Sequence, residues 1–124
     1  MSSQYKWIAF KNAILNLSAI LEEAETDIVR DAAIKRYEIC YELAWKSIQE
    51  ALKREGLEVC KSPKSCFKQA FKQGWIENEE VFSEMVQTRN LTAHTYNEDL
   101  AKEIFSHLGN YVVQFNAMKI NLIG

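Results

Sequence analysis

Breakers are scarce in this chain: one proline and four glycines serve 124 residues. That excludes a fold of many short strands and tight turns, and favours long uninterrupted helices. No apolar run reaches the ~20 residues that a membrane-spanning helix needs. The opening stretch MSSQYKWIAFKN lacks the apolar centre and cleavage site of a signal peptide, so a cytoplasmic protein with no membrane association is expected. A surplus of positive charge is missing too. Fifteen Lys and Arg against 17 Asp and Glu leave a net charge of −2, which argues against a protein that coats nucleic acid without sequence preference. A local phosphate site remains open. Three cysteines (Cys40, Cys60, Cys66) and two histidines do not form the close pairs that zinc requires. The cysteines are expected as reduced thiols, with Cys40 a small core hydrophobe. No metal and no cofactor are expected.

What is present has the balance of a globular domain. Hydrophobic residues make up 48% and charged residues 26%, and a chain of this length forms one domain, residues 1–124, able to bury a core without staples. Trp7, Phe10, Ile14, Leu17 and Leu21 recur at steps of three and four and predict a first helix from about Gln4 to Glu23. Thr26 or Asp27 then caps a long second helix, about Ile28 to Glu55, stopped by Gly56. Its seam is Ile34, Tyr37, Tyr41, Ala44, Ile48 and Leu52, widened by Cys40, Leu43 and Trp45. Asp31 with Lys35, Glu42 with Lys46 and Glu50 with Arg54 are four-apart pairs of a solvated face.

Ser62 and Pro63 open a short third helix that ends at Gly74 and buries Phe67, Ala70 and Phe71. A fourth runs from about Asn78 to Leu91, with Glu79, Glu80 and Glu84 near its positive end and Val81, Phe82, Met85 and Val86 inward. Asn97 caps the last helix, whose seam is Leu100, Ile104, Leu108, Tyr111, Phe115 and Met118. The expected fold is all-α: an antiparallel up-and-down helical bundle of four main helices plus a short extra helix. Tyrosines and tryptophans beyond the needs of one seam suggest burial against another chain, hence a dimer.

The periodicity breaks at QTRNLTAHTYNED, residues 87–99. On an unbroken helix Arg89 and His94, five residues apart, stand about 140° apart. They share a side only if the helix ends near Asn90 and the chain turns, which Asn and Thr permit. In an extended segment after His94, Tyr96 points the same way as the histidine. Arginine binds phosphate with a planar fork, and histidine moves protons near neutral pH. Cleavage of RNA without a metal needs those abilities, and two copies across a twofold axis supply enough of them. The plain structural alternative has Arg89 paired with an acid, and His94 and Tyr96 bonded to the start of the last helix. His107 has no partner in sequence and is expected on a helix surface. Lys64, Lys68 and Lys72 repeat every four residues, with Lys61 before them. They make either a solvated face or a phosphate-steering edge for RNA or an acidic partner. Trp45 is a core residue or a nucleotide-stacking one.

RNLTAHTY resembles the R-x4-H-x-Y motif of the HEPN superfamily. AIKRYEICYELAWKSIQEALKREG, SPKSCFKQAFKQGWI and RNLTAHTYNEDLAKEIF, in that order, resemble its nucleotidyltransferase substrate-binding branch, also known as HepT-like toxins. The likeness covers about residues 5–120. It implies a small helical bundle that forms a homodimer and pairs with a cognate minimal nucleotidyltransferase; assembly beyond the dimer stays open. It further implies a metal-independent RNase site with Arg89 and His94 as catalytic residues and Asn90 as the polar neighbour. Tyr96 is then the residue to which the partner attaches AMP, silencing the toxin. The alternative is a non-catalytic subunit that presents substrate or nucleotide to the nucleotidyltransferase. A structural dimerisation module is a third class, one that leaves the motif without a role.

Overall fold

Side-chain caps fix where four helices begin. The computed structural model describes residues 2–123 and contains α1 (Ser2–Ile20), α2 (Asp27–Arg54), α3 (Pro63–Lys72), α4 (Glu79–Leu91) and α5 (Glu98–Ile123). Thr26 Oγ1 accepts the Val29 amide at 3.1 Å, and Ser62 Oγ the Ser65 amide at 3.2 Å. Asn78 Oδ1 accepts from Val81 at 3.2 Å, and Asn97 Oδ1 from Leu100 at 3.1 Å. Each satisfies an amide that the first helical turn leaves free. Gly56 and Gly74 follow α2 and α3 with φ of 71° and 78°, a left-handed geometry that glycine adopts without steric cost.

Trp7 Nε1 donates to the Ser47 carbonyl, and Arg36 Nη1 to that of Asn16, so α1 runs antiparallel to α2. Tyr37 Oη donates to the Met85 carbonyl at 2.7 Å and holds α4 on α2. Arg54 near the end of α2 reaches the Leu122 carbonyl near the end of α5, so those two run parallel across the bundle. The order is up-down-up-down, with α3 wedged against α2 and α4. Phe10, Tyr37, Phe82, Tyr111 and Phe115 are fully buried where the helices meet. Ile34, Tyr37, Tyr41, Ala44, Ile48 and Leu52 of the α2 seam are buried, Cys40 with them, while Leu43 and Trp45 are partly buried at its edges. Burial pushes the Cys40 thiol up to about 12, so it is inert at neutral pH.

Three expectations are corrected. Phe71 is 43% exposed, because the buried face of α3 is centred on Cys66, Phe67 and Ala70 and leaves Phe71 at its edge. Cys60 and Cys66 are not free thiols but form a disulfide, their Cα atoms 5.1 Å apart. The Ser62 cap folds the chain back so that Cys60 meets the first turn of α3. The three four-apart ion pairs on α2 also give way to other partners. Glu50 bonds Lys6 of α1 and Lys53, Lys35 bonds Glu38, and Glu42 faces Arg89. An exposed pair along a helix is worth only tenths of a kcal/mol, so tertiary neighbours displace it readily.

Candidate functional site at the end of α4

The segment after Arg89 leaves α-helical geometry. Past Leu91 the chain tightens into a single 3₁₀ turn, Thr92–His94, and the Asn97 amide donates to the His94 carbonyl at 3.1 Å. Thr95 keeps a helical backbone, so the segment is a turn and not the extended stretch expected from sequence. The turn nevertheless brings the two rings together. Tyr96 Oη lies 3.3 Å from His94 Nδ1, and the ring centroids are 5.8 Å apart at 83°. Tyr96 is 86% exposed, and His94 is exposed too. A phenol can donate or accept. Where Tyr96 accepts from Nδ1–H, the opposite nitrogen, Nε2, carries the free lone pair of a base.

Arg89 is held differently. Its Nη1 lies 3.2 Å from Glu38 Oε2 and donates to Thr92 Oγ1 at 3.0 Å, while its Nε lies 3.9 Å from Glu42 Oε2. Thr92 Oγ1 is in turn 2.7 Å from both Glu38 Oε2 and the Arg89 carbonyl, and it has one proton to give to either. Arg89 Nε is enclosed and makes no hydrogen bond among the described residues. The arginine is therefore paired with acids, as the plain structural alternative expected, but His94 and Tyr96 do not bond the start of α5. Asn97 does that. No hydrogen bond joins Arg89 to His94 among the described residues, and Asn90 is exposed on α4.

Sequence reasoning assigned none of Glu38, Glu42 and Thr92 to the site, and read Glu42 only as a partner of Lys46. With Asp31 and Lys35, the two glutamates form one line of α2 at steps of four, three and four. That line faces the turn, and a groove of about 360 Å³ opens between Asp31, Lys35, Glu38, Thr92 and Tyr96. A second hollow of about 200 Å³ on the far side of Tyr96 is bounded by Asp27, Arg30 and Glu98. Arg30 is engaged there by Asp27 at 2.8 Å and Glu25 at 3.0 Å, and these bonds raise its pKa further.

The other expected residues lie elsewhere. Lys64, Lys68 and Lys72 are exposed on α3, which packs on α2 and α4. Lys64 and Lys68 border a hollow of about 230 Å³ whose opposite wall holds Glu79 and Glu80. His107 is on the surface of α5 as expected, stacked on Tyr111 with Nδ1 3.8 Å from Glu84, a partner that sequence did not supply. Trp45 packs half-buried against the core and donates to Glu42 Oε1 at 3.2 Å. Tyr37 and Tyr41 lie behind Arg89. Burial raises both, Tyr41 to about 12, so neither ionises near neutral pH. Among the described residues no group of three or more His, Cys, Asp and Glu is placed to hold a metal ion, and no helix is long and apolar enough to cross a membrane.

Comparison with known protein families matches residues 5–123 to the family described as nucleotidyltransferase substrate binding protein like. The chain belongs to that family. Among solved structures, a Thermus thermophilus protein is 34% identical, with a TM-score of 0.86 over 93% of this chain and 99% of its own. A Haemophilus influenzae protein, described as showing the fold of a substrate binding domain of a nucleotidyltransferase, is 16% identical with a TM-score of 0.74, covering 99% and 98%. A tri-AMPylated Shewanella oneidensis HEPN toxin, solved in complex with an MNT antitoxin, is 15% identical with a TM-score of 0.76, covering 96% and 94%. These last two share the fold of this family member. No curated protein matches the chain.

Proposed function

We propose that the chain is a metal-independent endoribonuclease toxin, acting as a homodimer and silenced by AMP transfer to Tyr96 from a cognate minimal nucleotidyltransferase. The observation that carries this is the exposed Tyr96 hydroxyl, 3.3 Å from an exposed imidazole nitrogen. A modification at that oxygen cannot avoid the histidine. In the cleavage step His94 takes the proton of a 2′-OH, and the freed oxygen attacks phosphorus. The bond from phosphorus to the 5′ oxygen breaks, and His94 of a second copy protonates that oxygen. The products are a 2′,3′-cyclic phosphate and a 5′-OH. Arg89 stabilises the charge that builds on phosphorus. In the silencing step Tyr96 Oη attacks the α-phosphorus of ATP, pyrophosphate leaves, and the phenolic proton passes to a base of the nucleotidyltransferase. A free phenol has a pKa of about 10 and needs that help. The bound AMP then sets a negative phosphodiester beside His94, excluding an RNA phosphate by volume and charge.

The resemblance to a HEPN toxin found with an MNT antitoxin supports this reading. A second reading, a non-catalytic binding subunit, draws on the Glu38 and Glu42 contacts, which already occupy Arg89. Incubating purified protein with RNA in EDTA separates the two. Cleavage that disappears in His94→Ala supports the nuclease, and intact RNA at all protein concentrations supports the binding subunit.

A further inference from the structure

α1 is apolar on both sides. Phe10, Ala13, Ile14 and Leu17 face the core, yet Tyr5, Ile8 and Leu15 on the opposite side are 76%, 60% and 59% exposed. With Asn12 and Ala19, also exposed, they form a line at steps of three, four, three and four, the spacing of a helix-packing seam. Among the described residues nothing in the protomer covers this line. A surface helix normally turns a charged or polar face to water. Here α1 has no acidic residue, and its two lysines stand off the line. Lys6 is bonded to Glu50 at 3.6 Å, and Lys11 lies beside the seam.

The order of residues along the line identifies what covers it. Two copies of α1 laid antiparallel about a twofold axis at Asn12 bring Asn12 against Asn12. Ile8 then meets Leu15 of the other copy, and Tyr5, the largest residue, meets Ala19, the smallest. Apolar meets apolar, large meets small and amide meets amide, which is the self-complementarity an isologous contact demands. A lone polar pair inside such a seam fixes register and orientation. A parallel arrangement sets Tyr5 on Tyr5 and loses the match.

We infer that the outer face of α1 is an interface with a second copy of this chain, distinct from the cleft at His94. α1 and α4 occupy opposite corners of the bundle. On α2, Arg36 bonds α1 while Glu38, two positions on and so about 160° around the helix, bonds Arg89 and Thr92. The α1 contact therefore leaves His94 and Tyr96 open, and together with a cleft dimer it builds a dimer of dimers.

Cysteine cross-linking of the full-length protein tests the geometry. Cys40 is buried and Cys60 and Cys66 are bonded to each other, so the native cysteines are silent. Under mild oxidation Asn12→Cys links to itself and gives a covalent dimer. Tyr5→Cys alone does not, but a mixture with Ala19→Cys does. Self-linking of Tyr5→Cys as efficient as that of Asn12→Cys, or no linking of Asn12→Cys, overturns the inference. Light scattering gives a second readout, in which Leu15→Glu lowers the assembly mass about two-fold with helicity retained. An unchanged mass, or loss of nucleotidyltransferase binding with self-association intact, overturns it as well. These readouts do not depend on catalysis, so this inference and the nuclease reading can fail separately.

Discussion

His94→Ala separates chemistry from structure most sharply, because the surroundings of His94 and Arg89 predict unequal stability costs for two residues of one motif. His94 is exposed, and the polar contact of its ring is a 3.3 Å bond to another exposed side chain, the Tyr96 phenol. Its removal changes stability by no more than about 0.5 kcal/mol, which at this chain length shifts Tm by less than about 3 °C. Arg89→Ala takes the partner from Glu38, whose side chain is 21% exposed, and one bond from Thr92. A hydrogen bond to a charged group is worth about 1.5–3 kcal/mol. Since Arg89 itself is 34% exposed, solvent screening lowers the expected cost to about 1–2 kcal/mol. For cleavage, loss of a positioned acid–base residue costs about 10²- to 10⁴-fold. Urea denaturation read by tryptophan fluorescence, set beside cleavage of a fluorogenic RNA, measures both quantities. A His94→Ala protein destabilised by more than about 1.5 kcal/mol, or one that cleaves at the parent rate, refutes the reasoning.

Three further outcomes follow from the packing. Gly109 lies inside α5 with nothing within 4 Å of an added Cβ, so Gly109→Ala raises stability by about 0.5–1 kcal/mol in urea denaturation; a loss means that something outside the protomer approaches there. Burial raises the pKa of Tyr41 to about 12, and those of Tyr37 and Tyr111 rise for the same first reason. Unfolded tyrosine releases its proton near pH ~10 while the folded residues keep theirs. Stability is therefore full below about pH 10 and falls above it, by about 3 kcal/mol from Tyr41 alone as the pH nears ~12; a flat profile of denaturation midpoints there contradicts it. Reducing the Cys60–Cys66 bond, whose sequence separation is 6, removes about 2 kcal/mol, visible as a lower Tm in dithiothreitol, and an unchanged Tm contradicts that.

The bundle was legible because its seams repeat at helical spacing and its caps use residues with one evident purpose. The caps at Ser62 and Asn97 are found in the structure, as is Thr26, one of the two residues offered for α2; Asn78, read only as the start of α4, caps it as well. Partner choice was less legible. Glu42 reads equally well as the partner of Lys46 along α2 and of Arg89 across the bundle, and only tertiary packing selects the second. The proximity of His94 and Tyr96 was anticipated from an extended backbone but arises from a 3₁₀ turn, since two different local geometries place residues i and i+2 side by side. Cys60 and Cys66 meet because the Ser62 cap reverses the chain, a three-dimensional event that counting cysteines does not reveal.

The central claim is that Tyr96 is the control point of the His94 site. Intact mass spectrometry after incubation with the cognate nucleotidyltransferase and MgATP tests it most directly, run on the wild type and on Tyr96→Phe. The account predicts additions of about 329 Da per AMP on the wild type, absent from Tyr96→Phe, with RNA cleavage falling in proportion to the modified fraction. Equal modification of both proteins, or modification that leaves cleavage unchanged, contradicts it.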